Sequence, residues 1–162
     1  MSIDLLRHGE TQSNGVYCGR TDVLLSTRGW SQLCAAVADQ HWEEVVSSPL
    51  ARCRAFAQHL AQSLHVPLRI DPRWQEMDFG AWENCSAQQL LESDAERYKK
   101  FCLDPVQHSP PDGETLLALQ ERVDCAWQEV ANTQKSILVV THGGPIRIIH
   151  CLQQGYPLTR LL

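Results

Sequence analysis

Apolar residues come in two rhythms along this chain. Short continuous runs bounded by polar or turn residues read as strands, and longer stretches repeating every three to four residues read as helices. Ile3-Asp4-Leu5-Leu6 predicts a short buried strand over residues 3–6, followed by polar, glycine-containing chain from Glu10 to Thr27. From about Arg28 to Gln40, Leu33, Ala36 and Val37 share one face at helical spacing. Val45-Val46 is a second short run, ended by Ser47-Ser48-Pro49, where Ser48 suits an N-cap and Pro49 the first helical position. The helix predicted from there spaces Cys53, Ala57, Leu60, Ala61 and Leu64 along one stripe.

Leu68-Arg69-Ile70, between Pro67 and Pro72, predicts a third strand, whereas periodicity assigns nothing to Trp74 through about Ser86. Leu91, Ala95, Tyr98 and Cys102 mark another helix, and Leu116, Leu119, Val123, Ala126 and Val130 a long one. Ile137 to Val140 is the clearest buried strand, and Pro145 starts a last helix through Ile148, Ile149 and Leu152. Strands alternating with helices predict an α/β fold with a mostly parallel sheet. The expectation is one domain over residues 1–162, with 74–113 as a cap-like elaboration over one end of the sheet.

Length and composition narrow this picture. A chain of 162 residues supports one core and not two comfortable ones. A net charge of −5 argues against broad binding of nucleic acid or an anionic membrane, and leaves room for a small anion held by local positive charge. The seven cysteines (Cys18, Cys34, Cys53, Cys85, Cys102, Cys125 and Cys151) are odd in number and show no CxxC pair. They predict a reducing compartment without disulfides. Asp4 and Arg7 interrupt the first apolar run, so a signal peptide is not expected, and no run is long enough to span a bilayer. The expected location is the cytoplasm.

Ligands of open α/β sheets sit beyond the carboxyl ends of the strands. That rule selects Arg7-His8 after the first strand, Arg52 in the helix after the second, and His142-Gly143 after the last. Two arginines and two histidines thus arrive at one rim, beside helix N-termini. Helix N-termini favour anions and arginine forks match phosphate oxygens, so the convergence reads as a phosphate pocket. An imidazole can attack phosphorus if its other nitrogen is held, and the leaving oxygen then needs a proton. Glu76 is the best candidate donor, with Asp78 and Glu83 as local competitors. A metal-dependent hydrolase using His8, His142, Glu76 and Asp78 is a rival, though paired-ligand spacing is missing and the arginines would repel a cation. A binding module without turnover is a second rival.

At this point the residues carry a resemblance. Arg7-His8-Gly9-Glu10-Thr11, Ser47-Ser48-Pro49-Leu50-Ala51-Arg52, Glu76 to Glu83 and Thr141-His142-Gly143 together resemble the histidine phosphatase superfamily, also called phosphoglycerate mutase-like. The resemblance implies a three-layer α/β/α fold, a phosphomonoester substrate, and neither cofactor nor metal. It implies His8 as the phosphorylated nucleophile, Glu76 as proton donor, and Arg7, Arg52 and His142 as phosphate ligands. It further implies substrate contacts at Asn14, Gly19, Arg20 and Gly143. Gln75 to Gly80 and Ala95-Glu96-Arg97-Tyr98 look most like the α-ribazole phosphatases, which remove the 5′-phosphate of α-ribazole 5′-phosphate in cobalamin nucleotide-loop assembly. A broad-specificity phosphatase and a mutase-like enzyme are the alternatives. Phe56 stands where the family usually has threonine, and Asn84 where it usually has glycine. Relatives usually continue past the last helix into another strand, so ending at Leu162 predicts an uncovered sheet edge, with reduced stability or a homo-oligomer that covers it.

Overall fold

Four parallel strands order the molecule, and the computed structural model describes residues 2–160. β1 (Ile3–Arg7), β2 (Glu44–Ser47), β3 (Leu68–Ile70) and β4 (Ile137–Thr141) form a sheet in the order β1-β4-β2-β3. β4 pairs on both sides, Ile3 to Arg7 against Ile137 to Thr141, and Glu44 to Ser47 against Ile137 to Val140. Being central and covered on both faces, it is an unbroken buried run, as parallel-sheet strands are. Its side chains alternate between two cores. Ile137 and Val139 join Val46 on one face, while Leu138 and Val140 join Val45 on the other.

Helices cover both faces, giving three layers. The Leu138 face takes α1 (Thr27–Ala36) through Leu33, and α2 (Ala51–Leu64) through Cys53, Phe56, Ala57 and Leu60. The Ile137 face takes α5 (Leu116–Ala131) through the predicted stripe, and α6 (Gly143–Gln154) through Ile148 and Ile149. Each fully buried side chain of this size contributes roughly 1.5–3 kcal/mol, so these stripes hold the layers on the sheet. β1 lies at one edge, paired only with β4 among the described strands, and Ile3, Leu5 and Leu6 are only partly buried.

Several boundaries differ from the sequence pattern, and α1, expected to reach about Gln40, ends at Ala36. α2 begins at Ala51, two residues after Pro49, because Ser48 still belongs to the sheet: its N–H donates to the Val140 carbonyl at 3.0 Å. The cap comes from a distant loop, where Asp22 Oδ1 accepts from the Ala51 N–H at 2.6 Å. α6 begins at Gly143, ahead of Pro145. The predicted helix around residues 91–102 is two helices, α3 (Ala87–Ser93) and α4 (Ala95–Leu103), which meet at Asp94. α3 opens on a capping box between Ser86 and Gln89.

The stretch that periodicity left unassigned begins at the end of one single 3₁₀ turn, Pro72–Trp74, and holds another, Gly80–Trp82. Trp74 and Trp82 anchor it in the core, and Trp82 meets Tyr98 and Phe101 edge-on with ring centroids 5.6 and 5.4 Å apart. Phe79 of this stretch, and Phe101 and Pro105 beyond it, reach hollows at the carboxyl end of the sheet. Among the described residues no helix is long and apolar enough to cross a membrane.

Candidate active site

Strand register assembles the site. Arg7 pairs with Thr141, so the residues that follow, His8 and His142, leave the sheet side by side. The His8 N–H extends the ladder by donating to the Thr141 carbonyl at 3.0 Å. The two imidazoles meet edge to face, 5.2 Å between centroids and 62° between planes. Ser48, leaving β2 next to β4, sets its Oγ 2.8 Å from His142 Nε2. Arg52 lies in the first turn of α2 and is fully buried.

His8 has a defined tautomer. Its Nδ1 lies 2.8 Å from the Gly9 carbonyl, which can only accept, so Nδ1 carries the proton and Nε2 the lone pair. Nε2 has no hydrogen-bond partner among the described residues. Burial, opposed by the Gly9 carbonyl and reinforced by the charges of Arg52 and Arg7, lowers the His8 pKa to about 4. The ring is therefore neutral near pH 7, as a nucleophile must be.

Arg52 is committed mostly to protein. Its Nη2 donates to the Cys18 and Gly19 carbonyls at 2.9 and 2.7 Å, Nη1 to the Thr21 carbonyl at 2.8 Å, and Nε to His142 Nδ1 at 3.2 Å. A guanidinium has five N–H donors, so one Nη1–H remains without a partner among the described residues. As His142 Nδ1 accepts from Arg52, its Nε2–H donates to Ser48. Burial first, then the Arg52 charge, hold His142 well below the ordinary histidine range, so it too is neutral.

Glu83 fastens the loop that carries those carbonyls. Its carboxylate accepts from the N–H groups of Gly19, Arg20, Thr21 and Phe79 and from the Thr21 hydroxyl. Burial pushes its pKa up, but these donors outweigh burial and the net shift is downward. Glu83 is thereby occupied as a structural acceptor. Glu76 instead lies at the N-terminus of α6, where its carboxylate accepts from the Gly144 N–H at 3.1 Å. A β-carbon on Gly144 would overlap Glu76 Oε1, so a side chain there would push that carboxylate from its place.

A cavity of about 540 Å³ gathers Arg7, His8, Asn14, Arg52, Glu76 and Gly143 in its wall. Three predicted residues lie off that wall. His142 is fully buried behind Arg52 and His8. Gly19 faces Arg52 and Glu83 through its backbone, and Arg20 points its guanidinium at Gln75 Oε1, 2.5 Å away.

Two arginines at or behind the site escaped the sequence reading. Arg147 stands in the cavity wall four residues after Gly143, on the same face of α6, and that spacing was the available signal. Arg122 of α5 donates to the carbonyls of Arg73, Gln75 and Glu76 at 2.8–3.0 Å, and forms a two-pronged pair with Glu114 at 2.7 and 2.8 Å. It fixes the backbone from which Glu76 projects. No cluster of metal-ligating side chains is found among the described residues.

A neutral imidazole, three arginines and a carboxyl share the wall of one cavity at the carboxyl end of a parallel sheet, an arrangement suited to a phosphate ester. Residues 3–162 match the family model of the Histidine phosphatase superfamily (branch 1), and the chain belongs to that superfamily. It is 32% identical to the adenosylcobalamin/alpha-ribazole phosphatase of Escherichia coli K12, over 97% of this chain and 81% of that protein. It is 28% identical to phosphoserine phosphatase 1 of Hydrogenobacter thermophilus, over 96% of this chain and 77% of that protein. The crystal structure of the alpha-ribazole phosphatase from Shigella flexneri superposes with a TM-score of 0.87 at 32% identity, covering 99% of this chain and 83% of that one.

Proposed function

We propose that this protein hydrolyses a phosphomonoester through a phosphohistidine on His8, and that α-ribazole 5′-phosphate is its substrate. The observation that carries the chemistry is the His8 ring, neutral, with Nδ1–H held by Gly9 and Nε2 unclaimed beside Arg7, Arg52 and Glu76. In the first step Nε2 attacks phosphorus, the bond to the leaving oxygen breaks, and a protonated Glu76 carboxyl gives that oxygen its proton. The Gly9 carbonyl supports the positive charge that develops on the ring. In the second step the Glu76 carboxylate takes a proton from water, the water oxygen bonds to phosphorus, and the P–N bond breaks, releasing inorganic phosphate. Arg7 and the remaining Arg52 N–H stabilise charge on the equatorial oxygens. Asn14 and Gly143 line the same wall as substrate contacts. In this reading His142 works from behind, holding Arg52 and backing His8. Gly19 and Arg20 shape the loop that Arg52 grips.

The substrate assignment is supported by the alpha-ribazole phosphatase relatives at 32% identity. A broader small-ester phosphatase is the second reading, because a phosphoserine phosphatase stands at 28%. The reading takes a phosphorylated metabolite as partner, neither nucleic acid nor membrane, in the cytoplasm, where the seven free thiols stay reduced. It also places a second copy of the chain against the β1 edge, an idea that sedimentation showing only monomer at rising concentration would remove.

The test is a trap. A labelled phosphomonoester is mixed with the protein and quenched, and an acid-labile, alkali-stable phosphoenzyme is expected. His8→Ala should give none. Turnover by wild type without label, or a labelled His8→Ala protein, would overturn the assignment. A substrate panel of α-ribazole 5′-phosphate, phosphoserine and 3-phosphoglycerate then separates the two substrate readings.

A further inference from the structure

Beside the catalytic cavity lies a second hollow of about 320 Å³, near the lower end of the range for small-molecule sites. The two share Tyr17, Glu76, Phe79 and Arg147 as walls. Their characters differ. The second hollow is floored by Met77, Phe101, Leu116 and Leu119, all within a few per cent of complete burial. Exposed Cys102 and Arg147 stand at its rim, and Arg147 is the only cation among its lining residues.

We propose that this annex binds the leaving group, and that it selects an apolar, ring-containing alcohol over a small carboxylated one. The inference rests on the reading of His8 as phosphoryl acceptor and Glu76 as proton donor. The oxygen that departs must lie within reach of Glu76, and Glu76 is a wall of both hollows. Whatever that oxygen carries is therefore delivered to the annex. A serine or glycerate portion would lay a carboxylate and its hydration against apolar walls, with Arg147 alone to meet it, and burying a charge poorly paired is unfavourable. A flat heterocycle or aromatic ring gains from the same walls by apolar burial and by offset or edge contacts with Tyr17, Phe79 and Phe101.

The walls are held in advance. Tyr17 packs on Phe79 with centroids 4.8 Å apart, and its hydroxyl hydrogen-bonds that of Tyr98 at 2.8 Å. The backbone N–H of Tyr17 donates to the Cys85 carbonyl at 2.9 Å, tying its loop to the stretch before α3. A ring entering the annex thus meets aromatic surface that needs little further ordering.

Cys102 supplies a readout independent of turnover. Its thiol is exposed at the annex rim, whereas Cys34, exposed on α1, serves as an internal control on the opposite face of the sheet. Alkylation of both by iodoacetamide, followed by peptide mass spectrometry on the whole chain, should show α-ribazole slowing modification of Cys102 saturably and leaving Cys34 unchanged. Serine and inorganic phosphate should leave both rates unchanged. Equal rates at Cys102 with and without α-ribazole, or protection by phosphate alone, would overturn the proposal.

A Cys102→Trp substitution should narrow the annex and shift the ratio of kcat/KM between 1-naphthyl phosphate and phosphoserine against the naphthyl ester by about ten-fold or more. An unchanged ratio would also overturn it. Failure to turn over any ester would bring down the phosphatase reading instead, and the alkylation result would still decide whether the annex takes an apolar ring.

Discussion

At the scale of single residues, the site divides between groups that face the cavity and groups that hold them. His8 and Glu76 face it, and Arg122 does its work on the Arg73, Gln75 and Glu76 carbonyls. Arg122→Ala should therefore reduce kcat/KM on an alkyl phosphate about 100-fold, the scale of a displacement near 1 Å in a catalytic group. The reduction should be much smaller with p-nitrophenyl phosphate, whose leaving oxygen needs no proton. Equal losses on both esters would mean that Arg122 supports the fold and not Glu76. The sequence made His8, Arg52 and Glu76 legible because each sits in a local run of telling neighbours. Arg122 sits within an ordinary amphipathic helix, and the carbonyls it holds lie 46–49 residues away, so nothing adjacent marks that role.

At the scale of elements, the helical stripes and short apolar runs were readable, because burial on one face leaves a period in the chain. The Trp74 to Ser86 stretch was not. It is built from isolated 3₁₀ turns and tertiary hydrogen bonds, including Ala81 N–H to the Pro111 carbonyl at 2.9 Å, which leave no period. The start of α2 was misplaced for a related reason, since its cap is Asp22, far away in sequence.

A second unmarked contact lies between α1 and the turn after β1. A β-carbon on Gly29 would strike the Glu10 backbone, and one on Gly9 would strike Gly29. Helix propensity alone favours Gly29→Ala by about 1 kcal/mol. Overpacking against rigid backbone costs about 1–3 kcal/mol, so the contact should win and the substitution should destabilise. Denaturant unfolding gives the sign directly, and a more stable variant would show that the turn yields. Activity should fall as well, since the displaced turn carries His8.

At the scale of the whole molecule, the two neutral histidines tie stability to pH. Against an ordinary value of 6.5, His8 is lowered to about 4, and His142 is lowered in the same direction, chiefly by burial. Between those values the unfolded chain binds protons that the folded chain refuses. Stability is therefore fully present above about pH 6.5 and falls on acidification toward pH 4, by up to about 1.4 kcal/mol per pH unit for each histidine. The thermal midpoint should drop between pH 7.5 and pH 5, with a shallower drop in His8→Asn. A midpoint independent of pH over that range would contradict the burial of both rings.

Glu83 has a consequence of another kind. One carboxylate accepts four backbone N–H groups from two distant stretches, Gly19 to Thr21 and Phe79. Neither stretch can breathe alone, because releasing one frees the anchor of the other. In deuterated water their amides would exchange as a single opening event. That event would also loosen the carbonyls that grip Arg52, so the exchange clock of a surface loop would report how often the buried guanidinium lets go.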